Sequence, residues 1–235
     1  MKPPLHFIHL RNRPIFEQLE IEEALLRSDE RNFCIVNQGS SRAIVMGISG
    51  DPKRLIDLDR VKKDAIPVIK RFSGGGTVIV DANTLFVTFI MNKQDLDVPA
   101  FPEPLLRWSA DLYTTAWQIP GFHLKENDYC IGPLKCGGNA QYIKKDRWLH
   151  HTSFLWDYSE ENMNYLLLPE KRPRYRDNRS HKEFLCKLKD YASSLDVLVD
   201  EFKESLVKRF YIEKFDLSQH EIKPHRKSLQ QLNFD

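Results

Sequence analysis

The sequence predicts an α+β fold in which a mostly antiparallel mixed sheet is packed by helices. Three observations carry this. Short β-rich runs bounded by glycine, proline and small polar residues recur through the first 160 residues. Two stretches with helical spacing of apolar residues interrupt them. The last third is helical and charged, and strands followed by helices suit α+β better than a regular βαβ alternation. A length of 235 residues is enough for one domain with a full core. The expectation is therefore a single domain over residues 1–235, helical from about 190.

The elements follow in order. Ile15, Phe16, Leu19 and Leu26 lie near helical spacing with Ala24 and Leu25 beside them, so residues from about Pro14 to Ser28 read as an amphipathic helix. Cys34-Ile35-Val36 and Ala43-Ile44-Val45-Met46 are strand-like, and Gly39-Ser40-Ser41 between them is a hairpin signal. Asp51-Pro52 suits an N-cap with proline at the first helical position, opening a helix that ends before Pro67. Two strands flank three glycines, at about Val68–Arg71 and Thr77–Val80, and a third runs from Leu85 to Met91. Pro102 and Pro104 introduce a helix holding Leu105, Trp108, Leu112 and Trp117. Strands are expected around Tyr129–Ile131, Gly138–Ile143 and Trp148–Trp156, with a turn at Lys144-Lys145-Asp146-Arg147. Lys171–His181 is a basic loop carrying Lys171, Arg172, Arg174, Arg176 and Arg179, read as a solvated surface loop ahead of a ligand contact. Ser193 with Asp196 makes a capping-box-like start for a helix whose stripe is Leu195, Leu198, Val199, Phe202 and Leu206. The tail after Leu217 reads as loosely structured.

Composition excludes several classes. Charged residues make up 29% of the chain, but the net charge is only +2. That near balance gives no case for nucleic acid or a membrane surface as partner. No apolar run approaches the length of a membrane-spanning helix, and Met1-Lys2-Pro3-Pro4-Leu5-His6-Phe7 lacks the apolar core of a signal peptide. Cys34, Cys130, Cys136 and Cys186 form no C-x-x-C pair and read as reduced thiols. The expected location is cytoplasmic, or mitochondrial or plastid if a transit segment has been removed.

The chemistry concentrates in three segments. Arg71-Phe72-Ser73-Gly74-Gly75-Gly76-Thr77-Val78 places three glycines between two strands, leaving bare N–H groups that can close on a phosphate, with a guanidinium fork beside them. Three glycines alone suit a flexible turn equally well. In Asn127-Asp128-Tyr129-Cys130-Ile131-Gly132-Pro133-Leu134-Lys135-Cys136-Gly137-Gly138-Asn139-Ala140-Gln141 a lone lysine precedes a glycine pair at the mouth of a strand. Glycine permits close approach of a ligand and lysine supplies a compact positive charge, although a surface lysine would look the same. In Trp148-Leu149-His150-His151-Thr152-Ser153-Phe154-Leu155 the adjacent histidines point to opposite faces of a strand, so they cannot share one metal. One of them is expected to face the site.

Taken together the segments resemble the lipoate–protein ligase family, within the biotin/lipoate ligase superfamily. The resemblance rests on an ordered set: Arg71-x-Ser73-Gly74-Gly75-Gly76-x-Val78, Asp81, Asn127-Asp128, Lys135-x-x-Gly138 or Lys135-x-Gly137, Ala140, and His150-His151-x-Ser153 followed by Phe154-Leu155. The set covers roughly residues 10 to 190 with similar intervals. The chain departs from the pattern where Val80 replaces a histidine before the aspartate, where Ala82-Asn83-Thr84-Leu85-Phe86 replaces a segment containing Gly-Asn, and where Thr152 replaces the glycine after the two histidines. Full-length members carry a further small C-terminal domain that is not expected here, and members without it can need a separate accessory subunit.

The resemblance implies a biotin/lipoate ligase catalytic-domain fold and a two-step reaction. A carboxylate is a poor acyl donor, so lipoate is first converted with ATP and Mg²⁺ to lipoyl-AMP; a lysine of an acceptor lipoyl domain then takes the acyl group. Acceptors would be lipoyl domains of lipoate-dependent complexes, including the glycine cleavage H protein type. Lys135 is implied as the catalytic clamp between carboxylate and α-phosphate. Gly75, Gly76, Thr77, Val78 and Ile79 would offer backbone groups to the nucleotide, with Ser73, Gly74, Gly138 and Ala140 in the same binding set. Arg71 would sit near the phosphates or the acyl chain. Asn127 and Asp128 would hold Mg²⁺ or the phosphates, Asp128 being the metal candidate, while His151 and Ser153 would line the acyl pocket. Rival readings are a cysteine-dependent octanoyl or lipoyl transferase, a cysteine-independent octanoyl or lipoyl transferase, a transfer-only subunit needing a partner, a biotin ligase and a non-catalytic lipoate-binding protein. Leu168-Pro169-Glu170 and Gly121-Phe122-His123 lack the thiol a transferase needs. Cys136, next to Lys135 on a strand, should face away from it. Phe72-Ser73-Gly74-Gly75-Gly76 differs from the Gly-Arg-Gly-Arg-type loop of biotin ligases.

Overall fold

Side chains of the central strands alternate between two faces, both of them buried, and this fixes the architecture. The computed structural model describes residues 2–170, 172–219 and 225–234. In chain order the elements are β1 (Pro4–Arg11), α1 (Ile15–Ser28), β2 (Phe33–Gln38), β3 (Ala43–Met46), α2 (Pro52–Leu55), α3 (Leu58–Lys63), β4 (Val68–Lys70), β5 (Thr77–Val80), β6 (Thr84–Asn92), α4 (Pro102–Trp117), β7 (Phe122–Lys125), β8 (Asp128–Ile131), β9 (Leu134–Ile143), β10 (Arg147–Leu155), α5 (Glu160–Met163), α6 (His181–Phe184), α7 (Leu195–Arg209), β11 (Tyr211–Lys214) and β12 (Gln230–Leu232).

Eight strands form the main sheet in the order β11-β1-β2-β6-β10-β9-β8-β7. Only the β11–β1 and β1–β2 pairs are parallel; the others are antiparallel. The α+β, mostly antiparallel expectation therefore describes the molecule. Cys34, Val36, Leu85, Val87, Phe89, Trp148 and Phe154 turn to one face, where α4 and α7 cover them. Phe33, Ile35, Phe86, Ile90 and Leu149 turn to the other, toward α1. Buried on both sides, these strands read as nearly continuous apolar runs. A second sheet, β12-β4-β3-β5, packs with α2, α3, Met163 and Tyr165 into a satellite core. No helix among the described residues is long and apolar enough to cross a membrane.

Several local expectations are corrected. β2 and β3 do not form a hairpin; they lie in different sheets. The Gly39 N–H bonds Thr84 O (2.9 Å), and Ser40 Oγ accepts from Ile15 N (2.8 Å), so this turn ties α1 to the β6 entrance. β4 and β5 flank the glycines but pair with β3 between them. The helix opened by Asp51 is two short ones, because Ile56 is extended and Asp57 caps a second start by accepting from Arg60 N. α7 is capped by Ser194, which accepts from Val197 N, not by Ser193; Asp196 pairs with Arg11 instead. Lys171 and residues 220–224 lie outside the described residues. Beyond them the tail is anchored: β12 pairs with β4, and the Ser228 and Leu229 N–H groups donate to Glu23. Strands β1, β7 and β11 were not expected.

Candidate active site

The glycine segment crosses one wall of a cavity of about 910 Å³, within the size range of small-molecule sites. Gly75 has φ +101°, open to glycine at little cost. A Cβ there would lie 2.7 Å from Arg71 Nη2, and one at Gly47 would lie 2.3 Å from Gly75 O. Both glycines are therefore required by packing. At Gly74 and Gly76 an added Cβ would meet nothing within 4 Å, so these two leave the backbone bare toward the cavity.

Arg71 fastens this loop. It is 4% exposed. Its Nη2 donates to Gly74 O (2.7 Å) and Gly76 O (3.0 Å), and its Nε to Ser73 Oγ (3.1 Å). Burial pulls its pKa down to about 10, still protonated at neutral pH. Its fork is thus spent largely on the loop's own carbonyls.

Behind the loop lies a directional hydrogen-bond chain. Because Arg71 donates to Ser73 Oγ, the serine hydroxyl is free to donate to His151 Nε2 (3.1 Å). That leaves the proton on His151 Nδ1, facing Glu22 Oε2 at 3.0 Å. Thr88 Oγ1 and Gln18 Nε2 donate to Glu22 Oε1, at 2.7 and 2.8 Å. Glu22 is fully buried, so this chain fixes the face His151 shows to the cavity. His150 points the opposite way, as strand parity requires. It is sealed among Tyr129 Oη (3.0 Å), Gln141 Nε2 (3.0 Å) and Thr152 Oγ1 (3.3 Å). Burial first, and then His151, push its pKa down to about 3.

The opposite wall is built from β8 and β9, and a β-bulge decides its chemistry. Asp128 opposes Gly138 and Tyr129 opposes Gly137, but Cys130 opposes Lys135, with Cys136 skipped. Bulges re-aim side chains. Without this one, Lys135 would share the core face with Gly137, where an added Cβ would strike Phe154 at 2.5 Å. With it, Lys135 turns to the cavity beside Asp128, and Cys136 is buried in the core. Lys135 Nζ lies 2.7 Å from Asp128 Oδ1. Gly138 makes room for it, since a Cβ there would stand 3.2 Å from Nζ. Tyr175 Oη donates to Asp128 Oδ2 (2.9 Å). Burial and the Asp128 charge push the Tyr175 pKa up, keeping it a donor. Among the described residues no group of three His, Cys, Asp or Glu is arranged to hold a metal.

Of the residues singled out in the sequence, Arg71, Gly74, Gly75, Gly76, Thr77, Val78, Asn127, Asp128, Lys135, Gly138, Ala140, His151 and Ser153 all line this one cavity. Ser73 and Ile79 do not. Ser73 is buried behind the loop, and Ile79 turns into the satellite core. Sequence reasoning missed Gln18 and Glu22, and it gave no role to Tyr175. One signal was present: Ile15, Leu19, Glu22 and Leu26 share one helical stripe, and an acid on an apolar stripe calls for a buried partner.

The fold is that of lipoate–protein ligase catalytic domains. A crystal structure of a lipoate–protein ligase A bound with ATP superposes with TM-score 0.73 over 92% of this chain and 90% of that one, at 17% identity. A bi-partite lipoate protein ligase from Thermoplasma acidophilum, solved in a study with its E2 lipoyl domain, gives 0.73 over 92% and 86% at 20% identity. Residues 14–211 match the family described as lipoyl protein ligase A/B catalytic domain, and the chain belongs to that family. It is 31% identical to a Plasmodium falciparum (isolate 3D7) protein named inactive lipoate–protein ligase 2, over 79% of this chain and 63% of that protein. It is 23% identical to lipoate–protein ligase A subunit 1 of Thermoplasma acidophilum, over 72% and 67%. The chain thus spans about two thirds of the length of these relatives.

Proposed function

We propose that this chain carries the catalytic domain of an ATP-dependent lipoate–protein ligase. It would form lipoyl-AMP from lipoate and ATP and pass the lipoyl group to a lysine of an acceptor lipoyl domain. The observation that carries this reading is Lys135, turned into the cavity by a bulge, given room by Gly138 and held by Asp128, opposite a wall of bare glycine backbone. That pairing suits two anionic reactants brought together under one fixed positive charge.

In this reading the N–H groups at Gly74, Gly76, Thr77 and Val78 receive the nucleotide, and Arg71 keeps the loop in shape. Lys135 Nζ leaves Asp128 to bridge a carboxylate oxygen and the α-phosphate, where charge develops as pyrophosphate departs. Asp128 and Tyr175 hold that amine in position until the substrates arrive. The apolar wall of Ile15, Leu19, Val45, Phe86 and Leu106 takes the acyl chain, with His151 and Ser153 at its polar edge. Asp128 Oδ1 is released when Lys135 Nζ moves to the substrates, and one carboxylate oxygen beside phosphate oxygens is a ligand set that suits magnesium, an ion that keeps waters. When bound, the ion would supply positive charge to the phosphates. In the transfer step Lys135 again orients the adenylate for attack by the acceptor amine.

The test is Lys135→Ala. The variant should fold with an unchanged melting temperature and lose lipoyl-AMP formation by about 10²-fold or more; normal turnover would overturn the assignment. A second reading, a transfer-only subunit that accepts lipoyl-AMP made elsewhere, is favoured by one observation. Two relatives are named as an inactive ligase and as one subunit of a ligase.

A further inference from the structure

The Lys135 end of the cavity carries positive charge that the hydrogen-bond chains above do not use. We propose that Arg176, with Arg172 beside it, forms a polyphosphate subsite there, taking the outer phosphates of a nucleotide or free pyrophosphate. The proposal rests on reading the cavity as a nucleotide site.

Arg176 ends the short 3-10 turn Arg174–Arg176. The turn is docked by the Arg174 and Tyr175 N–H groups, which donate to Glu126 at 3.2 and 3.1 Å. Arg176 is 5% exposed and its guanidinium stacks over Phe184 at 4.7 Å. The one hydrogen bond of its guanidinium among the described residues runs from Nε to Arg179 O (3.2 Å). Its Nη2 is buried with no acceptor. A buried guanidinium left so poorly satisfied calls for an explanation.

Arg179 sets the contrast. It also packs on Phe184, but donates to Arg176 O, Pro133 O and Tyr175 O, and so shapes the loop. Arg176 lines the cavity, as do Arg172 and Lys135, and neither Arg172 nor Arg176 has an ion-pair partner among the described residues. Among the acids lining the cavity, Asp128 is the one whose charge acts on Arg176, and it is engaged by Lys135 and Tyr175; Glu126 accepts from the Arg174 and Tyr175 N–H groups and Glu170 pairs with Arg54. The crowding of cations is felt by His181, whose pKa falls to about 4 through burial first and then Arg176 and Lys135. Several cations around one committed carboxylate, two of them forks suited to phosphate oxygens, make a site for a polyanion.

The experiment is titration of inorganic pyrophosphate into the full chain, followed by calorimetry and by the shift in melting temperature. Wild type should bind, and Arg176→Gln should weaken binding by about tenfold or more. Arg176→Lys, which keeps the stem over Phe184 and the charge, should fall between and serves if Arg176→Gln unfolds. Arg174→Gln, exposed and outside the cavity, should bind as wild type does. Equal affinity in folded wild type and Arg176→Gln, or no binding by wild type, would overturn the subsite. Arg176-dependent binding without lipoyl-AMP formation would leave the subsite standing and remove the ligase reading. Lipoyl-AMP formation with Arg176-independent pyrophosphate binding would do the reverse.

Discussion

Glu22 shows how a single buried carboxylate can organise the wall of a site. Its carboxylate accepts from Gln18, Thr88 and His151, and through His151 it sets the direction of the bond to Ser73. Removing one partner of such a buried network costs about 1–3 kcal/mol, because the remaining dipoles lose their acceptor. Glu22→Ala should therefore lower stability by about that amount in urea unfolding, and Glu22→Gln by less; an unchanged midpoint in Glu22→Ala would show the chain to be incidental. Lys135 stood out in the sequence only as one block of the ordered set, since a lysine beside glycines at a strand mouth looks by itself like a surface lysine. Glu22 was legible only in part: its place on the apolar stripe of α1 pointed to a buried partner, but an acid in an amphipathic helix is ordinarily solvated. Arg71 was legible as important but not in its task, since a guanidinium turned back on its own loop looks in sequence like one offered to a ligand.

At the scale of elements, the glycine loop separates structural glycine from functional glycine. Gly75→Ala must accept φ +101° and a 2.7 Å approach to Arg71, so it should cost about 1–3 kcal/mol. Gly74→Ala meets nothing within 4 Å and should leave unfolding within about 0.5 kcal/mol while weakening ATP binding. Unfolding and ATP-binding measurements on the two variants would check both statements. The strands themselves were legible from β-rich runs, but their pairing was not. Gly39-Ser40-Ser41 has hairpin composition, yet its hydrogen bonds go to Ile15, Asp81 and Thr84, contacts distant in sequence. The bulge at Cys136 was equally hidden. Strict alternation would have put Lys135 in the core, and only the β8 register shows otherwise.

At the scale of the whole molecule, stability is tied to pH through His150. Its folded pKa of about 3 lies below the 6.5 of an unperturbed histidine. The unfolded chain therefore binds a proton first as pH falls. The contribution is complete above pH 6.5 and is lost progressively as pH drops from 6.5 toward 3. Between pH 7 and pH 5 this one group should remove about 2 kcal/mol. Urea unfolding at both pH values should show that slope in wild type and a shallower one in His150→Gln. An identical slope would mean that other groups set the acid limit. The match of residues 14–211 to the family model places the chain in its family, but family membership alone leaves open whether it catalyses either step of the reaction.

The measurement that tests the central claim most directly is the intact mass of a purified apo lipoyl domain after incubation with this protein, lipoate, Mg²⁺ and ATP, beside a second sample given preformed lipoyl-AMP. A lipoyl mass gain in both samples is the predicted result. A gain only with lipoyl-AMP would contradict adenylation by this chain and assign it transfer alone, and no gain in either would contradict the ligase reading altogether.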